Sequence, residues 1–167
     1  QAHMDFAYEN GGDALALTDH GNMNGLAYQV LHAKKMHAEG KDFKPIFGVE
    51  AYFIPSIEEW QEEYEKAMAD KKRARCALFC GASAATVEDE ADSKRLQNLL
   101  RRRRHLILLA QNQTGLNNLF KLVSESYKSE NFYRYPRMDY ALLEKYGEGI
   151  IAASACLGGV YAGNYWE

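Results

Sequence analysis

The sequence predicts an α/β fold built from parallel strand–helix units, and three observations carry that prediction. A short apolar strand, a helix and a second apolar strand follow one another between residues 14 and 54. A similar alternation resumes at residue 105. The stretch between them is charged and helix-prone and belongs to neither run, so it reads as an insertion. The chain has 167 residues, 47% hydrophobic and 26% charged, which is the balance of a globular domain and excludes a disordered one. Its net charge of -3 supplies no global basic field for nucleic acid.

The elements follow in order. "MDFAYE" ends a helix, and "NGGD" stops it and turns. "ALALT" is a short buried strand. After "DHGNMNG" comes a helix, "LAYQVLHAKKMHAEG", with Leu26, Val30, Ala33 and Met36 or His37 on its apolar side and Gly40 at its end. "KPIFGVEAYFI" is the second strand, and the two form a βαβ unit with a right-handed crossover. Residues 56–103 form the insertion, mostly helical and partly disordered around residues 80 to 92. "HLILLAQ" then resumes the sheet. The helix "TGLNNLFKLVSESYKS" is expected to bury Leu116, Leu119, Phe120, Val123 and Tyr127. "NFYRYPR" reads as an aromatic, basic loop. "MDYALLEKYGEG" is a short helix with Asp139 as N-cap and Gly147 just past its end. "GIIAASACLGG" is a last strand running into a glycine-rich turn.

In parallel α/β sheets and barrels, chemistry gathers at the carboxyl ends of strands. Asp19 and His20 end the first strand, Glu50 sits near the end of the second, and Cys156 ends the last. His105 opens its strand instead, and strand-end logic does not explain it. Imidazole, carboxylate and thiolate together suit zinc or another borderline metal, since calcium and magnesium prefer oxygen alone. Each residue also has an ordinary alternative. Asp-His-Gly after a strand is a common turn, and an isolated cysteine in an apolar strand is small core filling. Spacing leaves both alternatives open.

Other groups fall away or stay weak. Cys76 and Cys80 lack a second ligand pair, and three cysteines make no disulfide framework, which favours a reducing cytoplasm. His32 and His37 point about 140° apart on a helix of 3.6 residues per turn, so they do not converge on one ion. No phosphate loop, GxGxxG or GxSxG pattern occurs. The run "RRRRH" at 101 to 105 is either a solvated helix face or a local basic patch. Arg134, Tyr135 and Arg137 mix guanidinium with aromatic rings, the combination that contacts nucleic acid, with a core-covering loop as the alternative. No apolar run is long enough to cross a membrane.

Five blocks occur in order: "ALALTDHGNMNG", "KPIFGVEAYF", "HLILLAQNQTGLNNLFKLVSESY", "FYRYPRMD" and "EKYGEGIIAASACLGG". Together they resemble the polymerase and histidinol phosphatase (PHP) domain found in the alpha subunit of bacterial DNA polymerase III. The resemblance implies part of a distorted (β/α)7 barrel, with residues 1–167 as a partial PHP domain. It implies that His20, Glu50, His105 and Cys156 are metal ligands, with Asp19 beside them as an orienting residue or a further ligand. The implied cofactor is a divalent cluster of zinc, manganese or iron, incomplete here. The family's His-x-His and Asp-x-His blocks do not occur in residues 1–167, so this chain, which begins with Gln1, is expected to be a piece of a longer protein.

The activity implied is metal-dependent phosphoester hydrolysis of the 3′–5′ exonuclease type, within a DNA-directed DNA polymerase, a nucleotidyltransferase whose polymerising palm lies elsewhere. The alternatives are a non-catalytic structural platform in that polymerase and a free-standing PHP-type phosphatase. The implied partners are DNA, the rest of the alpha subunit and the proofreading subunit, with no membrane, in the cytoplasm and in a bacterial or phage replisome. The 167-residue piece alone is expected to bind metal weakly, to show little nuclease activity, and to self-associate through an unclosed sheet.

Overall fold

The computed structural model describes residues 1–79 and 87–162, with side chains described for all of these except 74, 77–79 and 87–92. The first strand, β1 (Ala14–His20), follows a short helix, α1 (Ala2–Glu9), and leads through a loop into α2 (Leu26–Ala38). β2 (Lys44–Phe53) then lies parallel to β1 in the register Ala14↔Lys44 to His20↔Glu50. This is the βαβ unit expected from the sequence. Two features make the loop after β1 possible. Gly21 adopts φ +67, and a Cβ there would lie 2.9 Å from Pro136 Cγ and 3.0 Å from the Tyr52 ring. Its N–H donates to the Glu50 carbonyl at 2.8 Å, extending the ladder one residue past the strand.

The insertion forms two helices, α3 (Ile57–Phe79) and α4 (Val87–Arg101), which pack antiparallel. The Trp60 indole N–H donates to the Leu99 carbonyl at 2.8 Å, and Arg102 pairs with Glu63, so the start of one helix meets the end of the other. Ile54, Ile57, Trp60, Ala67, Leu96, Leu99 and Leu100 give the pair a small core of its own. The two helices therefore bury a side against each other. Of the stretch expected to be partly disordered, residues 80–86 lie outside the described residues, and residues 87–92 begin α4.

β3 (Arg104–Ala110) runs antiparallel to β2, with Tyr52 opposite His105 and Phe53 opposite Arg104. This departs from the parallel arrangement expected of the whole sheet. One crossover helix carries the chain back to the starting end of a strand, whereas two antiparallel helices return it to the end it left. α5 (Gln113–Ser126) follows, then β4 (Phe132–Tyr133), β5 (Tyr135–Met138), α6 (Tyr140–Tyr146) and β6 (Ile150–Ser154). β5 is parallel to β2 through two residue pairs, and β6 is antiparallel to β3. The stretch read as a loop, "NFYRYPR", is thus a tight β-hairpin turning at Arg134, which adopts φ 60. The six strands form one open sheet in a mixed α/β arrangement.

Residues opposite one another share a face of the sheet, and neighbours along a strand alternate. One face presents Val49, Ala51, Phe53 and Leu108, buried beneath Leu119 and Leu122 of α5 and beside Met138. The other presents Glu50, Tyr52, His105 and Ile107, half-buried and, among the described residues, without a helix layer. α5 buries Gly115, Asn118, Leu119, Leu122 and Ser126, leaving Phe120 and Tyr127 exposed. Its buried face is therefore turned from the expected one. A Cβ on Gly115 would stand 1.8 Å from the Gly149 carbonyl oxygen, so backbone-to-backbone contact at this glycine fixes the rotation. α2 similarly buries Gln29, whose amide N–H₂ donates to the carbonyls of Leu15 and Ile46.

Candidate metal centre

Four strand ends meet at one end of the sheet. β1 finishes there at His20, which pairs with Glu50 three residues before β2 ends at Phe53, while β3, running the opposite way, begins there with Arg104 and His105. β6, antiparallel to β3, finishes there at Ser154, two residues before Cys156. The reversal of β3 thus explains the position of His105, which opens its strand beside residues that close theirs. The "CLGG" turn is tied to β3 by the His105 N–H, which donates to the Gly158 carbonyl at 3.0 Å.

Glu50 is the hub of the cluster. Its Oε1 lies 2.7 Å from His105 Nδ1, and its Oε2 lies 3.3 Å from His20 Nδ1. Cys156 Sγ approaches the same His105 Nδ1 at 3.4 Å. One donor atom each from Glu50, His105 and Cys156 lies within 4.8 Å of the others, a spacing that fits a single cation among oxygen, nitrogen and sulfur. His20 stands at the rim with its side chain 63% exposed, held through Glu50. The imidazole planes of His20 and His105 are tilted 52° apart with centroids 5.6 Å apart.

Asp19 points to the opposite face. Its Oδ2 accepts from the Gly25 N–H at 2.7 Å, which closes the loop into α2 and fixes the backbone that presents His20. It supports the cluster through the chain and does not enter it.

Tyr52 belongs to this neighbourhood, although the sequence reading left it out. Its ring stacks on His20 at 5° between planes and lies 5.8 Å from the His105 ring. Burial pushes its hydroxyl up from the usual tyrosine range, with the Arg103 charge pulling the other way. The signal was the strand alternation itself: Tyr52 is two residues after Glu50, and Arg103 two before His105.

The expected nucleic-acid residues separate. Arg134 is exposed at the hairpin turn, and Tyr135 is half-buried beneath the Arg103 guanidinium at 3.9 Å. Arg137 is fully buried, which corrects its reading as a surface contact. Its Nη1 donates to the Tyr133 carbonyl at 2.8 Å, its Nη2 to that of Leu100 at 2.9 Å, and its Nε to that of Arg102 at 3.4 Å. The face of Trp60 lies 4.2 Å away, so Arg137 is a structural cation joining the hairpin to the inserted helices. His32 and His37 are likewise apart, the first against Asp5 at 2.7 Å and the second against the Phe43 carbonyl at 2.9 Å. Cys76 is exposed on α3, and Cys80 lies outside the described residues.

A family model described as "PHP domain" matches residues 1–162. The DNA polymerase III subunit alpha of Aquifex aeolicus is 42% identical over 154 residues, covering 92% of this chain and 10% of that protein. Those of Borreliella burgdorferi and Campylobacter jejuni are 38% and 35% identical, covering 87% and 90% of this chain and 9% of each protein. The chain spans about a tenth of the length of the curated relatives it matches. Among the described residues no helix is long and apolar enough to cross a membrane.

Proposed function

The chain belongs to the PHP domain family, and from that premise we propose that it is part of a DNA polymerase III alpha subunit and contributes to a metal-dependent phosphoesterase site of the 3′–5′ exonuclease type. The observation that carries this reading is the convergence of Glu50, His105 and Cys156 within 4.8 Å. The donor set is chemically suited to zinc, and manganese or iron accept the same imidazole and carboxylate. His20, Glu50, His105 and Cys156 would hold the ion or ions. A divalent ion there would act as a Lewis acid, lowering the pKa of water and drawing charge from phosphoryl oxygens.

The residues of the chain prepare that site. Glu50 holds two imidazoles in place before any cation arrives, which reduces the ordering left to binding. Tyr52 packs beside both imidazoles, parallel to His20 and tilted against His105. The Gly158 carbonyl anchors the turn that carries Cys156, so thiolate and imidazole keep their spacing. The family's His-x-His and Asp-x-His blocks do not occur in residues 1–167. Their donors, closure of the sheet into a (β/α)7 barrel, and contacts with DNA and the proofreading subunit are therefore assigned to the intact polymerase, in the bacterial cytoplasm.

A second reading keeps the family and makes the domain a scaffold without hydrolysis. It is favoured by the exposed position of His20, which leaves three donors in the tight group. The test is metal content and 3′-end nuclease activity of the intact protein after reconstitution with zinc or manganese. Glu50→Ala and His105→Ala are expected to lower bound metal and activity together. Full metal with no activity would select the scaffold. A protein without metal after reconstitution would end the metal reading.

A further inference from the structure

The four consecutive arginines Arg101–Arg104 end α4 and open β3, and they have no part in the proposed metal centre. All four line a cavity of about 390 Å³, together with Phe53 and Pro55. Their charges are not equally committed. Arg102 is engaged with Glu63 through both Nη atoms at 3.1 Å, whereas Arg101 is exposed.

Arg103 is the unusual member. Its guanidinium lies 3.9 Å from the centroid of Tyr135 and 5.4 Å from that of Tyr52. Among the described residues its one hydrogen bond is from Nη1 to the Arg101 carbonyl at 3.1 Å, and its Nε is buried without a partner. No carboxylate pairs with it among the described residues. Its charge also bears on the buried guanidinium of Arg137, helping burial to push that group down. A cation held on two rings, short of hydrogen-bond acceptors and next to another cation, is a site that lacks an anion.

The location gives the anion a context. The Tyr52 ring has the Arg103 guanidinium 5.4 Å from its centroid and the His20 and His105 rings at 6.4 Å and 5.8 Å. The arginine is thus one aromatic ring away from the proposed metal centre. We propose that Arg103, presented on Tyr52 and Tyr135 and assisted by Arg101, binds a backbone phosphate of single-stranded nucleic acid next to the one held at Glu50, His105 and Cys156. The choice of a strand over a free anion rests on the phosphodiester reading of that centre. The cavity along the arginine run leaves room for a bound phosphate group, within the size range of small-molecule pockets, roughly 300 to 1,000 Å³. Stacking on the tyrosines restricts the arginine in advance, so little ordering is left for the ligand to impose.

Arginine labelling with phenylglyoxal, read residue by residue by mass spectrometry, tests this on the intact protein in excess chelator. The probe is 5′-phosphorylated thymidine dinucleotide, with inorganic phosphate as comparison. When the dinucleotide is at about twice its dissociation constant, labelling of Arg103 and Arg101 should slow about threefold. In Arg103→Gln the protection of Arg101 should disappear. Labelling rates unchanged by saturating dinucleotide would overturn the proposal. Equal protection by inorganic phosphate at the same concentration would overturn the strand and leave an anion pocket only. Protection of Arg101 alone, with Arg103 unprotected, would remove Arg103 from the site. Because no metal is present, these outcomes are separate from failure of the metal reading, which appears as missing metal or missing hydrolysis.

Discussion

Arg137 shows how much one side chain can carry when it is withdrawn from water. Burial pushes its guanidinium down to about 10, with the neighbouring Arg103 charge adding to the effect, so it stays charged near neutral pH. Backbone carbonyls and the Trp60 face replace its hydration. Arg137→Met fills the space but strands those carbonyls, and the expected loss is about 3 kcal/mol by urea denaturation. An unchanged midpoint would mean the carbonyls find water. Asp5 gives a milder, pH-dependent case. The hydrogen bond from His32 holds its carboxyl below the usual 3.8. The folded state therefore keeps the carboxylate where the unfolded chain takes up a proton, and the stabilisation is present above the unfolded value and lost as pH falls through the folded one. Between about pH 5 and about pH 3, the melting temperature should fall more steeply in the wild type than in Asp5→Asn. Equal slopes would show that the pair contributes nothing. Asp19, His20, Glu50 and Cys156 could be picked out as strand-end residues from the sequence, whereas Arg137 was misplaced. Its aromatic neighbours suggested a surface, although Arg137 itself lies between buried Pro136 and Met138.

At the scale of elements, boundaries follow local chemistry and orientations follow contacts between elements. Asp139 was legible as a cap from its place before an apolar helix. It accepts from the Leu142 N–H at 3.0 Å, and its other oxygen accepts from the Ile57 N–H at 3.0 Å, at the start of α3. That second bond spans the sequence from the insertion to α6 and could not be read from local spacing. The rotation of α5 was not legible either. Periodicity marks an apolar stripe, but the close approach of Gly115 to Gly149 decides which edge of the stripe is buried. Gly115→Ala must push α5 away from the turn before β6, and the expected loss is about 2 to 3 kcal/mol. A melting temperature within error of the wild type would show that the contact yields easily. The reversal of β3 belongs to this scale too. It depends on the number of helices between two strands, and the sequence marked residues 56–103 as mostly helical without dividing them into a pair.

At the scale of the whole molecule, the described residues form a sheet covered by helices on one face and half-open on the other. The outer edges of β1 and β6 have no strand partner among the described residues. Ile151 is 49% exposed on β6, and Leu157 beyond it is 84% exposed. A chain of these 167 residues should self-associate in sedimentation experiments as concentration rises, and Ile151→Glu should reduce the effect. A monomer at all concentrations would mean that the edges are protected in some other way. The βαβ unit and the division into core and insertion were visible in the sequence because they rest on hydrophobic period and charge. The meeting of four strand ends was not, because it depends on strand direction. The helical pair has a further use. It leaves and re-enters the sheet at Phe53 and Arg104, which are direct neighbours across two strands. In wiring terms it is an enlarged hairpin connection, and the closure cost of such a connection grows only with the logarithm of its length. A reporter domain grafted between Phe79 and Val87 would therefore hang from the far end of a lever, leaving strand pairing and the metal-facing end of the sheet untouched.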